Sequence, residues 1–347
     1  MPGAADQGKV QVPRLLPYIQ AMDTDQAPHA RMKQPIAIAS GKREAHMTTN
    51  IIYIAGSGRS GSTFLSQLLS QNADCFNVGQ IRDLPSSYAK NLGCSCYKDL
   101  MECAFWSPVV SEFQALHGAD ALDKYAQGII AFRNSSNKLS SWGDAETRDQ
   151  IAADNIEFLD LASDLYRITS AQAGGATLVD SSKAPNIALG HILANDISVT
   201  VVHLMRDPRA VAASWAKLSN RPNVIRKRCK MWNKRTRQMQ RLGNIPGQKI
   251  IHIKYEDFAS APKTAIKDIQ EMAGVEQNAP YFDSDTSATL SWDRTHLFPP
   301  ANGEVLGGHL EQIEIRPSET WKSEANKRYS DIAQKINFPL AKKYGYE

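Results

Sequence analysis

The stretch "IIYIAGSGRSGST" (Ile51–Thr63) constrains the fold more than any other part of the chain. Its first five residues are an apolar run with no alternating polar position, the pattern of a strand buried on both faces. Glycines at 56, 58 and 61 then allow a tight turn. From Ser62 onward the apolar spacing is helical, so strand, glycine turn and helix follow one another. Amides at the start of such a helix point toward the turn and suit an anion.

A nucleotide-hydrolysing turn of this type reads G-x-x-x-x-G-K-[ST]. Here Gly56 and Gly61 match, but Ser62 holds the lysine position, Thr63 follows it, and the positive charge sits within the turn as Arg59. No early strand ends in an aspartate suited to magnesium. The turn is therefore equipped to hold an anion and not to activate a γ-phosphate.

A second unit, "VVHLMRDPRAVAASW" (Val201–Trp215), is again an apolar strand, a charged turn and a helix. Arg206 leaves the strand end, and Ser214 lies about two helical turns into the next element. The carboxyl end of a parallel strand opens onto the crevice where such sheets bind ligands. A guanidinium and a hydroxyl there suit a phosphate group.

Further apolar strands are expected at Ala176–Val179, Ser198–Met205 and Lys249–Ile253, beside Ile51–Ala55. Helical spacing covers Ser62–Gln71, Ala121–Phe132, Thr147–Ala173, Ala184–Ala194, Arg209–Lys217 and Ala261–Ala273. Strands alternating with helices predict an α/β three-layer sandwich around a parallel sheet. Residues 1–47 lack either period and read as a disordered extension, leaving one domain over 48–347.

The pair "GSGRSGST" and "RDPRAVAAS" resembles the sulfotransferase family that uses 3′-phosphoadenosine 5′-phosphosulfate. The resemblance runs over most of residues 50–346 and lies nearest the bacterial, tyrosyl-protein and carbohydrate members. It implies that Gly58, Arg59, Ser60, Gly61, Ser62 and Thr63 cradle the 5′-phosphosulfate. It likewise implies that Arg206 and Ser214 hold the 3′-phosphate.

In "VDSSKAPNIAL" (Val179–Leu189) the resemblance puts Lys183 opposite the reacting group, and in "IKYEDF" (Ile253–Phe258) it brings Tyr255 to the nucleotide. "CSCYKDLMECAFW" (Cys94–Trp106) is similar to a cysteine-rich insert of bacterial members, here spanning about 92–107. "IRPSETWKSE" (Ile315–Glu324) matches a loop that often closes over the cofactor. Arg59, Lys183 and the turn amides would carry the charge that builds during in-line transfer, with no metal required.

The proton acceptor departs from the family pattern. Similar proteins read Gly-Glu where this chain has "NVGQIRDL" (Asn77–Leu84), with Gln80 at the acid's place. An amide takes no proton at ordinary pH. Asp83 is the first choice as base. His191, His296, an acceptor acidic enough to need little help, and a chain that binds without turnover all stay open.

Cys94, Cys96 and Cys103 fall within ten residues, but their spacing lacks paired C-x₂₋₄-C units and three thiols leave a ligand missing. Reduced thiols or a local disulfide are expected there, and no metal. The segment Arg221–Leu242 carries nine Lys/Arg and no acid, which suits a solvated helix, attraction of an anion, or nucleic acid. No nucleic-acid motif accompanies it, and a net charge of only +4 does not demand such a partner.

No run approaches the ~20 apolar residues of a membrane span. With no compact signal core either, the expected location is cytoplasmic. The expected activity is sulfuryl transfer to a hydroxyl or amine of a small-molecule, carbohydrate, lipid or peptide acceptor. A degenerate nucleotide kinase or hydrolase and a silent nucleotide-binding module are the alternatives.

Overall fold

The computed structural model describes residues 48–138, 141–194, 196–298 and 311–347. The expected extension, 1–47, lies outside them. Five strands, β1 (Thr49–Gly56), β2 (Cys75–Gly79), β3 (Thr177–Lys183), β4 (Ile197–Met205) and β5 (Ile250–Lys254), form a parallel sheet in the order β2-β3-β1-β4-β5. The chain leaves β1 for the far edge at β2, returns through β3, and crosses to the other side as β4 and β5.

Helix α1 (Ser62–Leu69) follows β1. Between β2 and β3 lie α2 (Leu84–Ala89), α3 (Trp106–His117), α4 (Ala121–Lys138), α5 (Ala145–Asp154) and α6 (Ile156–Gln172). The β3–β4 crossover is α7 (Pro185–Leu193), and α8 (Pro208–Ala216) with α9 (Pro222–Leu242) joins β4 to β5. Beyond β5 come α10 (Tyr255–Ser260), α11 (Pro262–Ala273) and α12 (Lys327–Ala341).

The central strand explains the layering. Side chains alternate across a strand, so Ile51, Tyr53 and Ala55 enter one core with residues of α3, α4, α6 and α7. Ile52 and Ile54 enter the other, against Leu65, Leu68, Phe258, Ile266 and Ile269. Each fully buried isoleucine contributes roughly 1.5–3 kcal/mol, which is why an unbroken apolar run can hold two helical layers. The expected three-layer α/β sandwich is what forms.

Three local departures have physical causes. Strand β2 reads "CFNVG"; its polar Asn77 breaks the apolar run, yet is buried because its amide donates to Gln67 Oε1 at 3.3 Å and its carbonyl accepts from Gly79 N at 3.0 Å. The helical period over Thr147–Ala173 is interrupted at Asn155, whose φ of −130° separates α5 from α6. Strands β6 (Ser287–Thr289) and β7 (Gln312–Glu314) pair antiparallel over three residues each, too short for a periodic signal.

Register aligns the carboxyl ends of the strands. Gly56 pairs with Leu204, Ala55 with Lys183, Gly79 with Asp180, and Met205 with Lys254. The segments that follow these residues therefore emerge along one edge of the sheet. No helix among the described residues is long and apolar enough to cross a membrane.

Candidate functional site

The turn after β1 can be made only with glycine at two of its positions. Gly56 has φ 140°, and a Cβ there would lie 2.2 Å from the Leu204 carbonyl oxygen. Gly61 has φ 88°, and its Cβ would meet the Tyr255 ring at 2.8 Å. Arg59 takes the left-handed region at φ 68° without being glycine. Such strain collects where surrounding structure fixes a functional turn.

The second unit starts its helix by ordinary capping. Asp207 precedes α8 and accepts from Arg209 N at 2.8 Å, while Pro208 fits the first helical position, where no amide is needed. This leaves Arg206 as the last residue before the cap. Its Nη1 donates to the Arg59 carbonyl at 2.9 Å, and its guanidinium lies 4.1 Å over the Tyr255 ring. Arg59 Nε in turn donates to Ser214 Oγ at 3.0 Å. The two sequence motifs thus interlock.

A cavity of about 660 Å³ opens at this junction. Gly58, Arg59, Gly61, Ser62, Thr63, Lys183, Arg206, Ser214 and Tyr255 all line it. Ser60 lies just behind, buried, with no hydrogen-bond partner for its hydroxyl. Arg206 Nε is likewise buried without a partner.

Lys183 ends β3 at φ 70° and donates to the Ser181 carbonyl at 2.9 Å. Burial, with Arg82 and Arg235 nearby, pulls its ammonium down to about 7. Arg235, from α9, reaches under the turn to the Gly56 carbonyl at 2.8 Å, and burial lowers it to about 9.

Eight cations line the cavity: Arg59, Arg82, Lys183, Arg206, Lys217, Arg228, Arg235 and Arg316. Glu314 is the one acid among the lining residues. The whole chain has 40 Lys/Arg against 36 Asp/Glu, so the excess is local to this cavity. The buried cations among the eight, Lys183, Arg206 and Arg235, repel one another unless an anion joins them.

Not every expected residue reaches the cavity. Gln80 does, but Asp83 does not line it; its carboxylate lies 3.4 Å from Arg82 Nε. His191 is sealed between Tyr53 and Tyr166 with both ring nitrogens unpartnered, and burial lowers it to about 3. His296 faces Cys94 and Cys103. Of the C-terminal loop, Ile315, Arg316, Ser318 and Thr320 line the wall, whereas Trp321 stacks under Arg209 at 4.3 Å.

Sequence reasoning passed over Arg82, Arg228 and Arg235. Arg228 and Arg235 stand seven residues apart with Met231 between them, one face of α9, and all three line the cavity. Arg228 packs 4.0 Å over Trp215. That spacing was the readable signal.

Comparison with solved structures finds partial likenesses at low identity. The sulfotransferase domain of the Synechococcus PCC 7002 olefin synthase is 19% identical, with 86% of this chain and 98% of that one aligned at a TM-score of 0.48. The sulfotransferase domain of the curacin biosynthetic pathway is 17% identical over 85% and 99%, at 0.43. Sulfotransferase STF9 from Mycobacterium avium is 12% identical over 67% and 66%, at 0.40. No curated protein sequence gives a significant match. The profile of the sulfotransferase family matches residues 51–279, from β1 past α11 and through both interlocked motifs, and the chain belongs to that family.

Proposed function

We propose that the protein moves a sulfuryl group from 3′-phosphoadenosine 5′-phosphosulfate to a hydroxyl, or an amine, of an acceptor. The observation that carries this reading is the meeting of the glycine turn, Lys183 and the Arg206–Ser214 pair in one cationic cavity. Two anionic groups on one ligand need two such subsites, and the buried, unpartnered Ser60 Oγ and Arg206 Nε are donors with no acceptor in the protein.

The donor, when bound, supplies a sulfuryl group already activated by its phosphate leaving group. Residues Gly58–Thr63 would hold its 5′ end, with the first amides of α1 free to donate. Arg206 and Ser214 would take the 3′-phosphate, and Tyr255 would keep the Arg206 guanidinium flat. Lys183 and Arg59 would neutralise charge growing on the leaving phosphate, which is where preorganised donors act most strongly.

Asp83 can accept the acceptor's proton only by leaving Arg82. Its position favours an acceptor acidic enough to need little general-base help, such as a phenol. Carbohydrate, lipid and peptide hydroxyls complete the range to be tried. The five free cysteines suit a reducing compartment such as the cytoplasm. With Ser62 in place of a lysine, the turn argues against a nucleotide kinase.

The test is release of adenosine 3′,5′-bisphosphate from the donor across a panel of phenols, sugars, lipid hydroxyls and tyrosine peptides. Acceptor-dependent release without magnesium is expected, fastest with phenols. Magnesium-dependent ATP turnover, or donor binding with no release for any acceptor, would refute the transferase reading.

A further inference from the structure

We infer a zinc site, separate from the anion cavity, formed by Cys94, Cys96, Cys103 and His296. The sequence spacing argues against metal because three thiols lack a fourth ligand. The fold supplies that ligand from 202 residues beyond Cys94. The three sulfurs and one ring nitrogen lie within 4.8 Å of one another.

The distances fit a metal site. A tetrahedral zinc with Zn–S of about 2.3 Å and Zn–N of about 2.0 Å has S···S edges of about 3.8 Å and S···N edges of about 3.5 Å. Here Cys94 Sγ and Cys103 Sγ are 3.6 Å apart. His296 Nδ1 is 3.8 Å from Cys94 Sγ and 3.3 Å from Cys103 Sγ. A disulfide would need sulfurs about 2.0 Å apart. Three thiolates and an imidazole in a tetrahedron are a closed structural set, with no position left for a substrate.

The backbone is arranged to present these ligands. Residues 93–99 form a small antiparallel bridge, with Cys94 N donating to Lys98 O at 2.8 Å and Tyr97 N to Cys94 O at 2.9 Å. Ser95, between two of the cysteines, is strapped to both neighbours of His296. Its amide donates to Leu297 O at 2.7 Å and its hydroxyl to Thr295 O at 3.0 Å. Leu297 N donates back to the Ser95 hydroxyl at 2.8 Å.

His296 is oriented as well. Trp106 Nε1 donates to its carbonyl at 2.6 Å, and its ring stacks on Phe105 at 5.4 Å and 12°. Ligands held by outer contacts of this kind are what a metal site requires.

A metal here would clamp the insert to the segment before residue 299. That segment rests on the sheet beside the cavity, since a Cβ on Gly79 would meet Leu297 at 3.0 Å. Gly79 is followed by Gln80, which lines the cavity. The clamp would therefore set one side of the site without touching the ligand. On binding, each thiol gives up its proton to solvent as its sulfur bonds to the ion.

The test uses the full, untagged chain purified from zinc-supplemented cells under reducing conditions. Metal analysis should find one zinc per chain, and replacement by Co²⁺ should give thiolate charge-transfer and tetrahedral ligand-field bands. Removing the zinc with a chelator should lower the thermal midpoint and speed alkylation of Cys94, Cys96 and Cys103, but not of Cys75 or Cys229. Cys103→Ser and His296→Ala should lose the zinc, while His296→Cys and Cys229→Ala should keep it.

Folded wild-type chain without zinc, or with iron instead, would overturn the proposal. So would folded Cys103→Ser that keeps a full zinc complement, or recovery of a Cys94–Cys103 disulfide. The wild-type alkylation pattern decides the matter even if the serine and alanine variants fail to fold.

Discussion

Lys183 is where backbone, charge and the proposed reaction meet. It ends β3 in the left-handed region and stands beside Ala55, so its side chain enters the cavity at the foot of the glycine turn. Burial and the neighbouring Arg82 and Arg235 hold its pKa at about 7 against 10.5 for an ordinary lysine. Between those values the unfolded chain binds more protons, so this residue makes stability rise with pH across that window. An anion in the cavity reverses the local balance by favouring the charged ammonium. Ligand binding above about pH 7 should therefore take up a proton, and affinity should fall as pH rises further. Calorimetry in buffers of different ionisation heat measures that uptake, and Lys183→Met should abolish it. The same change should lower the transfer rate ~100–1000-fold, the cost of removing one preorganised donor. Uptake that survives in Lys183→Met would assign the proton to another group.

At the scale of the element, α9 answers what its eight cations do. The helix buries Ile225, Cys229, Trp232 and Met239 on one side and turns Arg228, Met231 and Arg235 toward the cavity. Lys227 and Lys230 face solvent instead. Arg228→Ala should weaken binding of adenosine 3′,5′-bisphosphate ~10-fold or more, since a hydrogen bond to a charged group is worth about 1.5–3 kcal/mol. Lys227→Ala and Lys230→Ala should leave it within a factor of two or so, because exposed charges are screened. A titration of the three variants at two salt concentrations checks this; equal effects would make α9 a diffuse basic surface. The helix and its charge were legible in the sequence, and so was the spacing of Arg228 and Arg235. Which face meets the cavity depends on how α9 crosses the sheet, and that is set by contacts far along the chain. The turn and the Arg206 unit were legible because strand, turn and cap are neighbours in sequence. Strand β2 was not, since the partner that satisfies Asn77 lies on α1.

For the whole molecule, the order β2-β3-β1-β4-β5 and its level register bring five separate segments to one edge. The three-layer architecture was readable from the alternation of apolar strands and helices. The fourth member of the cysteine cluster was not, because His296 carries no local signal of its own. Local order thus gives the parts of the cationic cavity, and topology decides which distant residues join them. The central claim is that one cavity recognises a nucleotide by both a 5′ and a 3′ anion. Calorimetric titration of the chain with adenosine 3′,5′-bisphosphate, ADP and AMP, without magnesium, tests it most directly when repeated on Arg206→Ala. The account predicts micromolar or tighter binding of the bisphosphate, much weaker binding of AMP and ADP, and loss of that preference in the variant with folding intact. Equal affinity for all three nucleotides, or an unchanged preference in Arg206→Ala, would contradict it.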